Sequence, residues 1–466
     1  MPNTMSRPLE YQSLKAVLHH MDPNVRFDIG LRMPSIRKVE KIVPLKIRHL
    51  DMGGSYAEVN DTHYDVGVVR HLPHGTTPWL LRTEWDEYGE FHDIDEYGFR
   101  CTTGHNVLLP GDISFKDEAH QSRHDTEEDE RGFEERLRVF KKAQRIFKQL
   151  RRQGTSLEDH LQSLEPVAEG DEEELALREA VQDAFIFKYR LRNRIARLHL
   201  DLMPFKCRRK DKKQPFTCFI QVTINRGEVR EVKRYEYNKQ LFEATKHLHE
   251  VLFGGRRMPI RVGRFEETGG GDGPTYRLPV GFRLQVQEAV LRQFIVVDPK
   301  LLSILLNADS LKMLKMETSG FGSDGYESKL VRNARKLLID EASEEEVETL
   351  VEVLRHLTNV EIGILPEELD WPLEYHLSML QSWSVGNRRI GSSFWMKIGT
   401  EQMAMEALRV IKAQARYKKC ETTERSITIP QPDSKALEIT IDQYDEESWM
   451  MKAEVVSVEL NSCITS

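Results

Sequence analysis

Residues 336–364 read KLLIDEASEEEVETLVEVLRHLTNVEIGI. Within this stretch VETLVEVLRHL places Val347, Leu350, Val351, Leu354 and Leu357 on one helical face, because side chains three and four positions apart share a side. Apolar tetrads at 337–340 and 361–364 flank that helix and predict two short strands.

Further tetrads sit at 313–316 and 395–398, and more weakly at 284–287. The starts of the last four fall 24, 24 and 34 residues apart, and three of the gaps carry a helical pattern. A helix–strand unit recurring at that interval lies in the length range of leucine-rich repeats, although the L-x-x-L-x-L-x-x-N consensus is not kept. The expectation is a short, irregular, leucine-rich-repeat-like α/β solenoid or curved sheet. RSITIPQP, ALEITIDQY and SWMMKAEVVSVE then predict three closing β-strands.

Toward the N-terminus the α/β pattern reaches back to Pro215. PFTCFIQVTI alternates Phe216, Cys218, Ile220, Val222 and Ile224, and Asn225-Arg226-Gly227 turns it into a second strand, VREVKRYEY. A helix over 239–253 follows, closed by Gly254-Gly255, and PIRVGRF is the next strand. An α/β body over 204–466 results.

Residues 116–203 form a charged helical insert. Residues 117–135 are acidic and poor in large apolar side chains, which predicts partial disorder. Residues 136–152 carry eight basic residues and no acid, with Phe133, Leu137, Phe140, Phe147 and Leu150 as an apolar stripe. A second helix over 172–202 predicts a helical hairpin, and neutralisation of the basic run by the acidic run beside it is a natural expectation.

Residues 49–115 are punctuated by Gly53-Gly54, Asn60-Asp61, Pro73-His74-Gly75, Tyr88-Gly89 and Pro110-Gly111, with β-like runs at 65–69 and 79–83. They predict a small β unit. Residues 8–48 read as three short helices. Leu14, Val17, Leu18 and Met21 line the first, Asp22-Pro23-Asn24 breaks it, Val25, Ile29 and Met33 share one side of the second, and Pro34 starts a third. A unit this small must pack on its own protein or on a partner. The fold class expected is therefore α+β or α/β.

The 466 residues are 39% hydrophobic, 30% charged and 8% aromatic, with a net charge of −8. That balance argues against a nucleic-acid surface over the whole protein but leaves room for a local basic patch. The five cysteines are scattered without C-x-x-C, as expected of free thiols in a reducing compartment. Neither a signal peptide nor a membrane span is legible, so an intracellular protein, in cytoplasm or nucleus, is expected.

Motifs of chemistry are weak. Cys101/His105 with His120/His124 would draw a C-x₃-H…H-x₃-H site, but the second pair falls in the acidic stretch, and solvated histidines are the plainer reading. FGGRR with Arg256-Arg257 and the glycines at 269–273 lack the phosphate-loop pattern. Asp95 in HDIDEYGF is expected to fix a turn. No cofactor, metal or catalytic residue is expected.

The segment PLEYQSLKAVLHHMDPNVRFDIGLRMPSIRKVEKIVPLKIRHL resembles an F-box in the form found in the nematode F-box C proteins. NDTHYDVGVVRHLPHGTTP, DIDEYGFR with PGDI, PFTCFIQVTI through YNKQLFEATKHLHEVLFGGRRMPI, and ITIPQPDSKALEITID resemble the uncharacterised domain of that family. The resemblance implies a substrate-recognition subunit of an SCF-type (Skp1–cullin–F-box) ubiquitin ligase, with a Skp1-type adaptor and a substrate protein as partners. The positions matching the F-box pattern are Pro8, Leu9, Leu14, Val17, Leu18, Met21, Asp22, Pro23, Ile29, Arg32 and Pro34. The third helix carries IRKVEKIV where many F-boxes have a tryptophan. Two alternatives stand beside that expectation: the helices pack only on the protein's own β unit, or the chain is a ligase-independent scaffold or a nucleic-acid-associated interaction protein using the basic helix 136–152.

Overall fold

A computed structural model describes residues 10–71, 89–101, 107–115, 125–162, 164, 172–186, 190–267, 275–292, 299–306, 311–317, 323–366, 368, 371–385, 388–415, 420–446 and 448–457. The chain divides into two compact units that interleave along the sequence. One spans 1–61, 110–116 and 249–466, the other 62–109 and 117–248.

The first unit carries a long mixed sheet. Its strand order is Tyr56–Val59, Lys46–Met52, Ile260–Glu266, Leu284–Leu291, Met313–Glu317, Lys336–Ala342, Glu361–Pro366, Ser393–Ile398, Trp449–Ser457, Lys435–Gln443, Ser426–Gln431 and Glu421–Thr422. Neighbours are parallel from Lys46–Met52 to Ser393–Ile398 and antiparallel at both ends. Each new parallel strand is laid beside the last, and a parallel neighbour requires a crossover. The helices Val347–Leu354 and Leu373–Val385 are two such crossovers, so the recurring tetrads mark successive strands of one sheet. The weak signal at 284–287 belongs to a full strand, Leu284–Leu291. The three closing strands form where their alternation places them.

Alternation sorts the two faces of this sheet. Leu314, Met316, Leu337, Ile339, Ile362, Ile364, Phe394 and Met396 are buried. The intervening positions form charged rungs across strands, Lys315 with Asp340 at 2.6 Å and Lys336 with Glu361 at 2.7 Å. Gly363 pairs with Trp395, and a Cβ on Gly363 would meet that indole at 2.3 Å, so the ring can lie across the strand only because the position is glycine. The indole N–H then donates to Glu361 Oε1 at 2.9 Å.

The second unit holds an antiparallel sheet of Thr62–His71, Thr217–Arg226 and Val229–Glu236, turned at Gly227 with φ +56°. Asp95 Oδ1 accepts from the backbone N–H groups of Tyr97, Gly98 and Phe99, the turn role its sequence context suggested. Glu127–Gln153 is a single helix opened by a Thr126–Asp129 capping box and closed at Gly154. Helix formation therefore begins inside the acidic run, because acids in a first turn complement the helix dipole. Among the described residues of 172–202, the helical stretches Glu172–Ile186 and Arg190–Asp201 both pack on the long helix.

The expected strand at 79–83, the glycines at 269–273, and His74, His105, His120, His124 and Cys463 lie outside the described residues. Among the described residues no cluster could hold a metal ion, and no helix is long and apolar enough to cross a membrane.

Candidate protein-docking face

Three short helices, α1 (Tyr11–His20), α2 (Pro23–Arg32) and α3 (Pro34–Ile42), precede the first strand of the sheet. Each break has a local cause. Asp22 caps α2 by accepting from the Asn24 backbone N–H at 2.8 Å, and Pro23 and Pro34 occupy first-turn positions where an absent N–H costs nothing.

The inner side of this unit is fastened by charge. Arg26, 1% exposed, reaches Glu40 at 3.1 Å and also donates to the carbonyls of Glu40, Val43 and Pro44. Glu40 receives a second guanidinium, Arg256, at 2.7 Å. Burial pulls the pKa of both arginines down, opposed by Glu40. Beside them Lys41 donates to the carbonyls of Val251 and Leu252 at the end of the helix Leu241–Phe253. Burial, reinforced by Arg256, brings the Lys41 ammonium down to about 7. Phe27 meets Phe253 edge-to-face with ring centroids 6.1 Å apart. Asn24 donates to the Val59 carbonyl at 3.0 Å, and Asn60 donates to Asp22 at 3.2 Å.

The exposed surface of α1–α3 carries apolar side chains among charged ones such as Arg32, Arg37 and Lys38. Val25 (46%) and Met33 (48%) are exposed and Ile29 is half-buried, so the face that α2 shows as hydrophobic in sequence turns away from the body. Tyr11, Val17, Leu31 and Ile42 are exposed as well. Ala16, Val17, His20 and Met21 line a shallow, open depression along α1.

The residues singled out from sequence therefore divide. Val17, Asp22, Arg32 and Pro34 are exposed, while Leu14, Met21 and Ile29 are half-buried. Leu18 and Pro23 are buried in the protein itself, so a change at Leu18 acts on folding before it acts on any partner. Pro8 and Leu9 lie outside the described residues. Sequence reading missed Arg26, Glu40 and Arg256, because no spacing announces a pair fourteen positions apart across two helices and a third member more than two hundred residues on. Arg256, weighed as an anion holder, is instead committed to Glu40. The four described cysteines are free thiols.

The family model of a domain of unknown function, DUF3557, matches residues 240–400, which covers most of the parallel strands and begins well after α3. No curated protein and no solved structure matches the chain.

Proposed function

We propose that the chain is a non-catalytic protein-interaction adaptor, the substrate-recognition subunit of an SCF-type (Skp1–cullin–F-box) ubiquitin ligase. In this reading α1–α3 are an F-box that docks on a Skp1-type adaptor, and the sheet of the first unit is a leucine-rich-repeat-like body that holds the substrate protein. The observation that carries it is a contrast: Arg26, Glu40 and Arg256 are buried and paired, while Val17, Val25, Leu31 and Met33 of the same helical unit stand exposed. Apolar side chains held out on a rigid base are what a partner helix or groove can cover. Burying one such side chain is worth about 1.5–3 kcal/mol, so a few of them suffice for a specific contact.

The contribution to ubiquitin transfer is proximity. Holding a substrate near the transfer enzyme raises the effective concentration of its lysines, and no residue of this chain need do chemistry. The test is co-elution of the full chain with a purified Skp1-type adaptor in gel filtration. Wild type co-elutes and Val25→Asp does not; separate elution of the wild type overturns the reading.

A further inference from the structure

The long helix of the second unit segregates its charges in a way that the sequence order conceals. In its first turn Glu130 pairs with Arg209, and just ahead of the helix Asp125 meets Arg208 at 3.7 Å. Those arginines belong to a second basic run, CRRKDKK at residues 207–213. Asp125 and Glu130, two acids of the run 117–135, are thus answered from elsewhere in the unit and not by the basic run 136–152. Along the remaining turns Arg138, Lys141, Lys142, Arg145, Lys148 and Arg152 recur at three- and four-residue steps, which places them on one face. Of these Lys141 is half-buried and the others are exposed. The stripe spans roughly 20 Å at the rise of an α-helix. Val139, Ala143 and Leu150 occupy the opposite, buried side.

At its C-terminal end the stripe runs into a cavity of about 540 Å³. The cavity has an apolar floor of Phe147, Ala184 and Leu191 and a rim of Lys148, Arg151, Arg152 and Arg192. Arg151 lies 5.8 Å from the centroid of the Phe147 ring. Among the described residues no carboxylate lines this cavity. Cations around an aromatic floor suit a ligand that is flat and apolar at one point and anionic on either side of it. A nucleotide within a strand has that chemistry: its base can rest on an aromatic or guanidinium plane while phosphates follow the cations.

We infer that this helix face and its terminal cavity bind single-stranded nucleic acid. The cavity takes a base, and the stripe from Arg138 to Arg152 tracks the phosphates on one side of it. The protein as a whole carries −8, so the interaction is confined to this strip and its affinity falls as salt rises. The site is independent of the adaptor-docking face.

The experiment uses the full chain and fluorescence anisotropy with a labelled 20-nucleotide single strand, as RNA and as DNA of one sequence, across 50–300 mM salt. Wild type is expected to bind at least one of the two strands. Lys148→Glu/Arg152→Glu lowers affinity at least tenfold and flattens the salt dependence, because each lost phosphate contact removes about 0.7 from the slope. Arg355→Glu/Arg389→Glu changes net charge equally at exposed cations elsewhere and leaves binding within twofold. Both variants alter exposed side chains and should melt with the wild type. Absence of binding by the wild type overturns the inference. So does equal loss in both variants, or competition by polyglutamate as effective as by the unlabelled strand. Binding to RNA alone or to DNA alone supports it and identifies the strand.

Discussion

Arg26 and Glu40 lie 3.1 Å apart with both side chains 2% exposed, and Arg256 approaches the same carboxylate oxygen at 2.7 Å. One buried anion between two buried cations ties α2 and α3 to each other and to the segment that follows the helix Leu241–Phe253. The helical unit does not stay in place by hydrophobic burial alone, which is why so much apolar surface remains outside.

Removing the shared anion leaves two guanidinium groups buried against each other. Glu40→Ala should cost about 3–5 kcal/mol, the penalty for breaking a buried charge pair from one side. Chemical denaturation measures it. A loss below 1 kcal/mol would mean that the arginines find water or other acceptors.

Lys41 gives this cluster a pH dependence of definite sign. Its folded-state pKa, about 7, lies below the ordinary lysine value of 10.5. Between those values the unfolded chain holds the extra proton, so stability rises as pH increases from 7 toward 10. The groups facing it are Arg256, Glu40, Arg37 and Arg26. Relative to Lys41→Met, wild type should gain on the order of 1–2 kcal/mol between pH 7 and 9. Parallel stability curves for the two proteins would show that the ammonium stays charged when folded.

Asn359 fastens one step of the sheet to the next. Its buried amide donates to the carbonyls of Val331 at 2.7 Å and Ala334 at 2.6 Å, just ahead of the strand Glu361–Pro366. Asn359→Ala should lower stability by about 1–3 kcal/mol, since buried carbonyls lose their donor. Unchanged thermal melting would place those carbonyls in contact with water.

The parallel strands were legible because period-two burial writes itself into sequence: Leu337 and Ile339 are apolar where they are buried, and Val347 and Leu350 mark the crossover between strands. The strand at 284 was fainter, since its buried residues, Leu284, Val286, Ala289 and Leu291, break strict alternation after Val286. The helical unit was legible as helices but not in orientation. Val25, Ile29 and Met33 mark a hydrophobic face, and nothing local says whether such a face looks in or out. Arg26 decides that question; its partner Glu40 lies fourteen positions on, and the second cation on that carboxylate is at 256, beyond any periodic signal. Likewise Leu18 and Val17 are adjacent and similar in character, yet one is buried and the other exposed.

The outward apolar face is best tested by titrating a purified Skp1-type adaptor into the full chain and into Val17→Asp/Val25→Asp by calorimetry, with thermal melts of both proteins. Both positions are exposed, so the variant should melt within a degree or two of the wild type, as surface changes rarely exceed about 0.5 kcal/mol. The predicted result is saturable one-to-one binding by the wild type and none by the variant. Equal heats from the two proteins, or no heat from the wild type, would contradict it.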